Sequence, residues 1–203
     1  MRVPPIIALV PMKPLSQAKT RLLPLLGPVG RDALVLRLLE RVLRAMAGEP
    51  GIHGVWVLGG DGPIRAIAQG WGASFVEDEG RGLNEALTKG FRLCRSAGAS
   101  PLFVPGDLPL LTAQDVGLLL TVSRCGRTLA LSPALRDGGT NALVVPEAVP
   151  FLPQFGEGSF RRHLAQADSL ATPVTILVSP GLALDLDTPE DLETLATLGE
   201  VPL

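Results

Sequence analysis

Three aspartates could together bind a metal ion. Two of them, Asp185 and Asp187, alternate with leucines, so an extended backbone would turn both carboxylates to the same side. Carboxylates held side by side repel each other, and a cation between them relieves that repulsion. The third, Asp107, follows the apolar residues 101–104, where open α/β sheets bind ligands. An ordinary turn residue between glycine and proline is the alternative interpretation of Asp107.

A cationic segment near the start of the chain could bind a polyanion. Residues 6–10 are an unbroken apolar run, typical of a strand buried on both faces of a parallel sheet. The run is followed, within one loop and one helical turn, by Lys13, Lys19 and Arg21. These cations repel one another unless an anion such as a triphosphate neutralises them, and a solvated basic loop is the alternative. We predict that Ser16 caps the next helical turn.

The cationic segment matches neither of the common glycine-rich phosphate loops. It lacks both the Gly-x-x-x-x-Gly-Lys-Ser/Thr sequence and the Gly-x-Gly-x-x-Gly sequence, so a backbone cradle of those types is excluded. Charged side chains would therefore have to hold the phosphates.

Two glycine-containing turns offer further hydrogen-bond donors. An Asp-Gly-Gly sequence predicts a hairpin and is followed by Thr140 and Asn141, whose side chains can both hydrogen-bond a phosphate or a carboxylate. A second glycine loop, residues 155–158, includes Gly156 and precedes a helix that Ser159 is predicted to cap. Free N–H groups, a hydroxyl and a helix dipole favour an anion there.

Two residues close to these turns have more than one interpretation. Asn84 opens a helix after a polar, glycine-rich loop of residues 77–82. It would either cap that helix or, with the Gly82 backbone, face the base or ribose of a nucleotide. We predict that His163 is exposed, because no partner for this lone histidine can be identified.

Together these residues permit a phosphoryl-type transfer with a divalent metal. Carboxylate and phosphate oxygens with several waters are the ligands that Mg²⁺ prefers. The cations would neutralise a triphosphate and the departing pyrophosphate, while the metal would align an in-line displacement. The chain has two histidines and no Ser-His-Asp or Cys-His arrangement, which suits a nucleophile that is already an anion, such as a phosphomonoester. A hydroxyl acceptor would instead need an aspartate as general base.

The elements that must position these residues follow the rhythm of a parallel α/β sheet. The predicted strands cover residues 6–10, 55–58, 74–76, 101–104, 129–131, 141–145 and 175–178. The predicted helices cover residues 27–47, 64–69, 83–96, 113–123 and 159–168. In the first helix the arginines are predicted to face water, namely Arg31, Arg37, Arg41 and Arg44. A Thr-Pro-x-Asp sequence beginning at Thr188 predicts a capped final helix.

Length and composition exclude several classes of protein. At 203 residues the chain suits one domain, residues 1–203, rather than two. A net charge of −2 argues against a nucleic-acid-binding protein. Two cysteines without Cys-x-x-Cys spacing argue against a disulfide framework or a zinc site. No apolar run approaches the roughly 20 residues of a membrane span, and no secretory signal is recognisable, so we expect no membrane contact and a cytoplasmic location. A homodimer is our hypothesis for the oligomeric state.

Six segments carry a resemblance that spans nearly the whole chain. In order they are VPMKPLSQAKTRL (10–22), GLNEAL (82–87), PGDLPL (105–110), DGGTNAL (137–143), FGEGSF (155–160) and LDLDTPEDL (184–192). Each segment alone is weak, but in combination they are specific. They resemble the motifs of the 2-phospho-L-lactate / phosphoenolpyruvate guanylyltransferases, which make the activated intermediate for coenzyme F-420.

The resemblance implies an α/β, three-layer nucleotidyltransferase fold, like that of nucleotide-diphospho-sugar transferases, with a mixed, mostly parallel sheet flanked by helices. It implies GTP as donor, Mg²⁺ as cofactor and release of pyrophosphate. The implied metal ligands, which with Lys19 form the predicted catalytic set, are Asp107, Asp185 and Asp187. The predicted nucleotide contacts are Lys13, Lys19, Arg21, Gly82 and Asn84. The predicted contacts to a small phosphorylated carboxylic acid are Thr140, Asn141, Gly156 and Ser159. Family members use phosphoenolpyruvate, 2-phospho-L-lactate or 3-phospho-D-glycerate, and a bacterial-looking composition favours phosphoenolpyruvate.

Two alternatives compete with this interpretation. One is another nucleotidyltransferase of the same fold, such as a molybdenum-cofactor guanylyltransferase, although those rely on a glycine-rich opening loop that residues 11–14 do not match. The other is a catalytically silent nucleotide-binding module. Such a module would be expected to lack a metal carboxylate, whereas all three candidates are present. A dinucleotide-binding oxidoreductase is disfavoured for want of a glycine fingerprint.

Overall fold

Seven strands form one mixed sheet at the centre of the structure. The computed structural model describes residues 3–78 and 82–199, so residues 79–81 of the predicted polar loop lie outside the described part. The strands are β1 (Ile6–Pro11), β2 (Ile52–Leu58), β3 (Ser74–Val76), β4 (Ser100–Phe103), β5 (Leu129–Pro133), β6 (Thr140–Val144) and β7 (Val174–Ile176). Their order across the sheet is β3-β2-β1-β4-β6-β5-β7, and every neighbouring pair is parallel except the two pairs made by β6.

Helices flank this sheet. The prediction of a mixed, mostly parallel sheet flanked by helices is therefore confirmed. They are α1 (Leu23–Ala47), α2 (Gly62–Gly70), α3 (Leu83–Ser96), α4 (Ala113–Val122), α5 (Ser159–Ser169), α6 (Pro180–Ala183) and α7 (Pro189–Thr197). Two short 3-10 helices cover Leu15–Gln17 and Thr20–Leu22. No helix within residues 3–78 and 82–199 is long and apolar enough to cross a membrane.

The two faces of β1 bury separate apolar cores, as its unbroken apolar run predicted. Ala8 and Val10 belong to the core that α1, α2 and α4 cover. Leu9 belongs to the core on the opposite face, where it packs with Leu87 and Phe91 of α3. A smaller cluster packs α7 against α1. Strand β1 is therefore fixed from both sides, and the loop that follows it starts from a rigid position.

Helix α1 is kinked near its start. Gly27 has φ of 64° and ψ of 175°, and Pro28 follows it, so the helix is interrupted there and resumes beyond the proline. One prediction for this helix is wrong. Arg31 does not face water but is buried, because Asp32 supplies a counter-charge 2.6 Å from its guanidinium.

Parallel pairing brings the ends of β3, β2, β1 and β4 to the same edge of the sheet. The pairing continues past the strand ends, since the N–H of Met12 donates to the carbonyl of Leu58 at 2.8 Å. The segment after α6 joins this edge, because the N–H of Leu186 donates to the carbonyl of Asp107 at 3.1 Å. The final helix then begins at the predicted cap, a reciprocal pair between Thr188 and Asp191. Loops from distant parts of the chain thus meet at one place.

We expect Leu9→Ala to lower the free energy of unfolding by about 3 kcal/mol. Leu9 is fully buried, and Gly90 of α3 faces it so closely that a carbon added to the glycine would lie 2.9 Å from Leu9 Cδ1. Glycine has no side chain to fill the cavity. Urea unfolding followed by circular dichroism measures the change. The matched control is Leu25→Ala, at a residue that is 61% exposed, and its change should stay within about 0.5 kcal/mol. Equal losses in both variants would contradict the assignment of Leu9 to the core.

Candidate active site

A cleft of about 500 Å³ opens at the carboxyl edge of the sheet. Its walls are the loops that follow β1, β2, β3 and β4, together with the start of α3. Its volume suits a small-molecule ligand. Of the predicted site residues, those that line it are Lys13, Lys19, Gly82, Asp107 and Asp187.

The ammonium group of Lys19 lies between two carboxylates. It donates to Asp107 and to Asp187, and only 8% of its side chain is exposed. Lys19 adopts a left-handed backbone conformation, with φ of 49°, that is uncommon outside glycine. Burial alone would lower the pKa of Lys19, but the attraction of Asp107 and Asp187 outweighs it, so the pKa is raised. The lysine therefore stays charged and links the loop after β4 to the segment before α7.

A second cation, Arg136, was missed by the sequence analysis. Its guanidinium lies 3.1 Å from Asp185, 3.2 Å from Asp187 and 3.2 Å from Asp191. Burial would lower the pKa of Arg136, but Asp185 and Asp191 outweigh it and raise the pKa. Asn141 approaches the same group, with Nδ2 3.5 Å from Asp185 Oδ1. The sequence predicted a cation between Asp185 and Asp187, and this guanidinium is one. The available signal was its position directly before the Asp-Gly-Gly turn.

The aspartates of this cluster differ in their charge environment. Burial and the nearby Asp107 raise the pKa of Asp185, and the attraction of Arg136 does not offset them. Burial also acts on Asp187, but Lys19 and Arg136 outweigh it and hold the pKa of that carboxyl below its ordinary value. Asp187, which both cations contact, is thus more readily ionised than Asp185.

The three predicted metal ligands converge, with side-chain cations in the space among them. Asp107 and Asp187 share one ammonium, while Asp185 and Asp187 share one guanidinium. Within the two described ranges, no group of three or more His, Cys, Asp or Glu side chains already has the arrangement of a metal site. However, Oδ1 of Asp107 is buried without a hydrogen-bond partner among the described residues, and a divalent cation would satisfy it. The donor set therefore fits a hard cation once the ammonium moves aside.

Two predicted acceptor contacts meet in a buried chain of hydrogen bonds. Oγ1 of Thr140 lies 3.1 Å from Oγ of Ser159 and 3.0 Å from Nδ1 of His163. The N–H of Gln154 donates to Nε2 of His163 at 3.1 Å, so a neutral imidazole carries its proton on Nδ1 and donates it to Thr140. The Thr140 hydroxyl is then free to donate to Ser159.

Two predictions about the residues of this hydrogen-bonded group were wrong. His163 is fully buried beside aromatic rings rather than exposed, because the turn that carries Thr140 folds over it. Burial, and to a lesser extent Arg162, lower the pKa of His163 to about 4. Ser159 does not cap α5, since Gly158 occupies the N-cap position with φ of 68° and the serine hydroxyl turns to Thr140 instead.

Asn84 fixes the second glycine loop. Its Oδ1 accepts from the N–H of Phe155 at 2.7 Å, and its Nδ2 donates to the carbonyl of the same residue at 3.2 Å. The capping interpretation is therefore wrong, and the N-cap position of α3 belongs to Gly82. The clamp holds Phe155 directly before Gly156, whose φ of 118° is accessible to glycine and strained for other residues.

The cationic loop after β1 divides into two parts. Lys13 is exposed and lines the cleft, whereas Arg21 is exposed on the second 3-10 helix and does not line it. Ser16 does not cap the first 3-10 helix, because Pro14 occupies its N-cap position. Asp61 of the β2–α2 loop instead holds this helix, because its carboxylate accepts a hydrogen bond of 2.8 Å from the N–H of the first residue of the helix.

The whole cleft lies in a part of the chain that matches a known family. A family profile described as "Guanylyl transferase CofC like" matches residues 6–201. The chain belongs to this family.

Full-length relatives of this CofC-like chain carry guanylyltransferase names. It is 42% identical over 199 residues to phosphoenolpyruvate guanylyltransferase of Rubrobacter xylanophilus, covering 97% of this chain and 96% of the relative. It is 39% identical to 3-phospho-D-glycerate guanylyltransferase of Phenylobacterium zucineum, covering 88% and 84%. It is 33% identical to 2-phospho-L-lactate guanylyltransferase of Methanothermobacter thermautotrophicus, covering 95% and 85%.

Solved structures of other proteins have a similar fold. A nucleotidyl transferase from Methanothermobacter thermautotrophicus superposes with a TM-score of 0.70 at 18% identity, covering 95% of this chain and 96% of that one. Glucosyl-3-phosphoglycerate synthase from Mycobacterium tuberculosis, in complex with Mg²⁺ and uridine-diphosphate, gives 0.61 at 15% identity, covering 97% and 80%. These likenesses concern the fold, and they confirm the nucleotidyltransferase fold predicted for this CofC-like chain.

We expect the stability of this CofC-like chain to fall as the pH drops from about 6.5 to about 4. The pKa of His163 is lowered from 6.5 to about 4 on folding, so across that interval the unfolded chain binds a proton that the folded chain does not. Above the pKa of His163 in the unfolded chain, the free energy of unfolding has its full value. Below the pKa of His163 in the folded chain, the free energy of unfolding is lower by about 3 kcal/mol. Denaturant unfolding at a series of pH values measures the slope.

Carboxylates also titrate in this interval, so the contribution of His163 is isolated by difference. His163→Gln should flatten the slope relative to the wild type. The matched substitution His53→Gln, at an exposed histidine, should leave it unchanged. An identical slope in His163→Gln and wild type would show that the imidazole does not resist protonation.

Proposed function

We propose that this chain, as a single domain over residues 1–203, transfers GMP from GTP to the phosphate of a phosphorylated three-carbon acid and releases pyrophosphate. Phosphoenolpyruvate is the favoured acceptor because the relative at 42% identity is named for it, and relatives named for 2-phospho-L-lactate and 3-phospho-D-glycerate define the alternatives. The product would be the activated intermediate for coenzyme F-420. The observation that carries the proposal is the gathering of Asp107, Asp185 and Asp187 around Lys19 and Arg136 at the cleft.

A divalent metal, with Mg²⁺ favoured, would be held by the three aspartates. Support comes from the buried, unpartnered Oδ1 of Asp107 and from the Mg²⁺ in a solved structure of similar fold. When bound, such a metal supplies positive charge that stabilises the charge developing on the phosphates.

The cations after β1 would neutralise the triphosphate. Lys13 lines the cleft, and the buried, charged Lys19 lies beside Asp107, so both can reach a phosphate chain there. Arg21 would add positive charge close to the cleft. Gly82 lines the cleft at the start of α3, where free N–H groups favour an anion. Asn84 would act by holding the adjoining glycine loop.

The chemical step needs no general base. An oxygen of the acceptor phosphate attacks the α-phosphorus of GTP, the bond from that phosphorus to the bridging oxygen breaks, and pyrophosphate leaves with the electron pair. The second pKa of a phosphomonoester is about 6, so the attacking oxygen is already an anion at neutral pH. The buried His163 suits this scheme, because its Nε2 accepts from a backbone N–H and is not available as a base.

The acceptor acid would be bound by the two glycine-containing turns. Thr140 and Ser159 form one hydrogen-bonded chain, so their hydroxyls are oriented before a ligand arrives. Gly156 lies in the loop next to them and exposes backbone without a side chain. Asn141 and Arg136 both contact Asp185, which would bring amide and guanidinium donors close to the metal ligands.

A panel of substrates tests the proposal. We expect pyrophosphate release from GTP and not from ATP, CTP or UTP, with the highest rate on phosphoenolpyruvate among the three phospho-acids. Coupled detection of pyrophosphate measures every combination, with and without Mg²⁺. Activity with a molybdopterin acceptor in place of a phospho-acid would favour the related guanylyltransferases of this fold. A wholly inert panel would favour the silent nucleotide-binding module.

We expect Asp185→Asn to reduce pyrophosphate release by at least about 100-fold, because it removes a proposed metal ligand. The variant should remain folded, since the amide relieves repulsion from Asp107. Pyrophosphate release and thermal unfolding are measured together. Asp168→Asn, at an exposed aspartate of α5, is the matched control and should keep full activity. Undiminished release by Asp185→Asn in a still Mg²⁺-dependent reaction would remove this aspartate from the mechanism.

A further inference from the structure

The cleft runs along the edge of the sheet, and different side chains line its two ends. The strands whose ends form it lie in the order β3, β2, β1, β4. Asp107 follows β4 and Lys13 follows β1, so the metal ligands and the phosphate-binding cations lie at one end. The ends of β2 and β3 therefore lie farthest from the phosphates. A nucleotide whose phosphates are at β1 and β4 has its base at β2 and β3. Three strand spacings, ~14 Å, separate the two ends.

Among the described residues, one carboxylate lines the base end of the cleft, that of Asp78 in the loop after β3. The side chain is exposed, and it has no hydrogen-bond or ion-pair partner among residues 3–78 and 82–199. The other cleft carboxylates, Asp107 and Asp187, are both engaged by Lys19. Within the described part of the chain, both oxygens of Asp78 are therefore uncommitted acceptors on a residue that lines the cleft.

Two glycines allow close packing at the end of β2, beside Asp78. Gly59 has φ of 77° and Gly60 has φ of 108°, and both line the cleft. A carbon added to Gly59 would lie 2.8 Å from the carbonyl of Met12 and 3.6 Å from Oδ2 of Asp78, so no other residue fits there. The N–H of Gly59 donates to the carbonyl of Val76 at 2.9 Å, which fixes the backbone two residues before Asp78. Close backbone packing therefore sets the position of Asp78 beside the end of β2.

The chemistry of a free carboxylate distinguishes guanine from the other bases. Guanine presents two adjacent donors on its pairing edge, N1–H and the N2 amino group, and a carboxylate accepts both. Adenine and cytosine place a ring nitrogen acceptor on the same edge, which a carboxylate repels. Uracil offers one N–H flanked by two carbonyl oxygens. A site with only acceptors thus binds guanine and rejects the others.

We propose that Asp78 selects the donor nucleotide by accepting hydrogen bonds from N1–H and N2–H₂ of guanine. The inference rests on the proposed use of GTP and adds the residue that imposes it. Neither oxygen has a partner to leave within residues 3–78 and 82–199, so recognition requires no rearrangement of those residues.

Exchange of this carboxylate for an amide gives a directed test. Asn presents one acceptor and one donor, which match N1–H and the C2 carbonyl of xanthine and oppose the N2 amino group of guanine. We expect Asp78→Asn to lower kcat/KM for GTP by about 10- to 100-fold and to raise that for xanthosine triphosphate above it, because a bidentate contact to a base discriminates by this factor. Calorimetric titration of both nucleotides without acceptor should show the same inversion in Kd.

The wild-type protein supplies a test that needs no variant. Inosine triphosphate lacks only the N2 amino group, so it should bind about tenfold more weakly than GTP. Equal affinity for the two would overturn the inference. The matched control is Glu77→Gln, next to Asp78, whose carboxylate is 79% exposed and pairs with Arg65 rather than lining the cleft. This control should keep the wild-type preference, and an inversion in it would overturn the assignment to Asp78.

Failure of the inference and failure of the proposed function give different results. If wild type releases pyrophosphate from GTP but Asp78→Asn still prefers GTP to xanthosine triphosphate, Asp78 does not select the base. If wild type uses no guanine nucleotide with any phospho-acid, the proposed function itself is wrong. Thermal unfolding of both variants accompanies the assays, and unchanged folding is expected because neither substitution removes a buried contact.

Discussion

Charge balance at the carboxyl edge of the sheet is the constraint on which the rest of this structure depends. Four aspartates and two cations meet there: Asp107, Asp185, Asp187, Asp191, Lys19 and Arg136. Loss of one partner would leave the remaining charges of the cluster less well compensated, which is unfavourable where they are withdrawn from water. Each loop in the cluster is therefore positioned by the others. The left-handed backbone of Lys19 is tolerated because two carboxylates hold its ammonium.

The topology of the sheet makes this gathering possible. The loops after β1 and β4 begin at neighbouring parallel strands, and a single backbone bond from Leu186 to Asp107 ties the later segment to them. The antiparallel strand β6 brings the β5–β6 turn, with Arg136, to the same edge. This CofC-like chain thus assembles its cluster from residues that are close in space and far apart in sequence. A site assembled in this way depends on the packing of β1 from both faces, because a shift of that strand would move Lys19 away from its partners.

Several features that depend on neighbouring residues were predictable from the sequence, whereas the partners of single polar side chains far apart in the chain were missed. The apolar run of β1 and the cap at Thr188 are local patterns, and both were correct. Arg136 lies 49 residues before Asp185, and His163 lies 23 residues after Thr140. A lone arginine or histidine has no periodicity, so only the topology identifies its partner. The two glycine-containing turns indicated the hydroxyls of Thr140 and Ser159 but not the imidazole that contacts Thr140. The position of Asn84 at a helix start suggested a cap, whereas its partner is 71 residues away.

The separation between the two ends of the cleft isolates the charge of Asp78 from the charge cluster. The ~14 Å between the ends of β3 and β4 exceeds the Debye length of ~8 Å at physiological ionic strength. The exposed charge of Asp78 therefore contributes little to the balance among Lys19, Arg136 and the aspartates, and it does not compete for the cation that Asp107 would bind. Base recognition can be altered at one end while the charge cluster at the other end keeps its geometry. A fold of this kind can accept different nucleotides with one arrangement of phosphate-binding groups, because the residue that reads the base is not one of the residues that balance the charge.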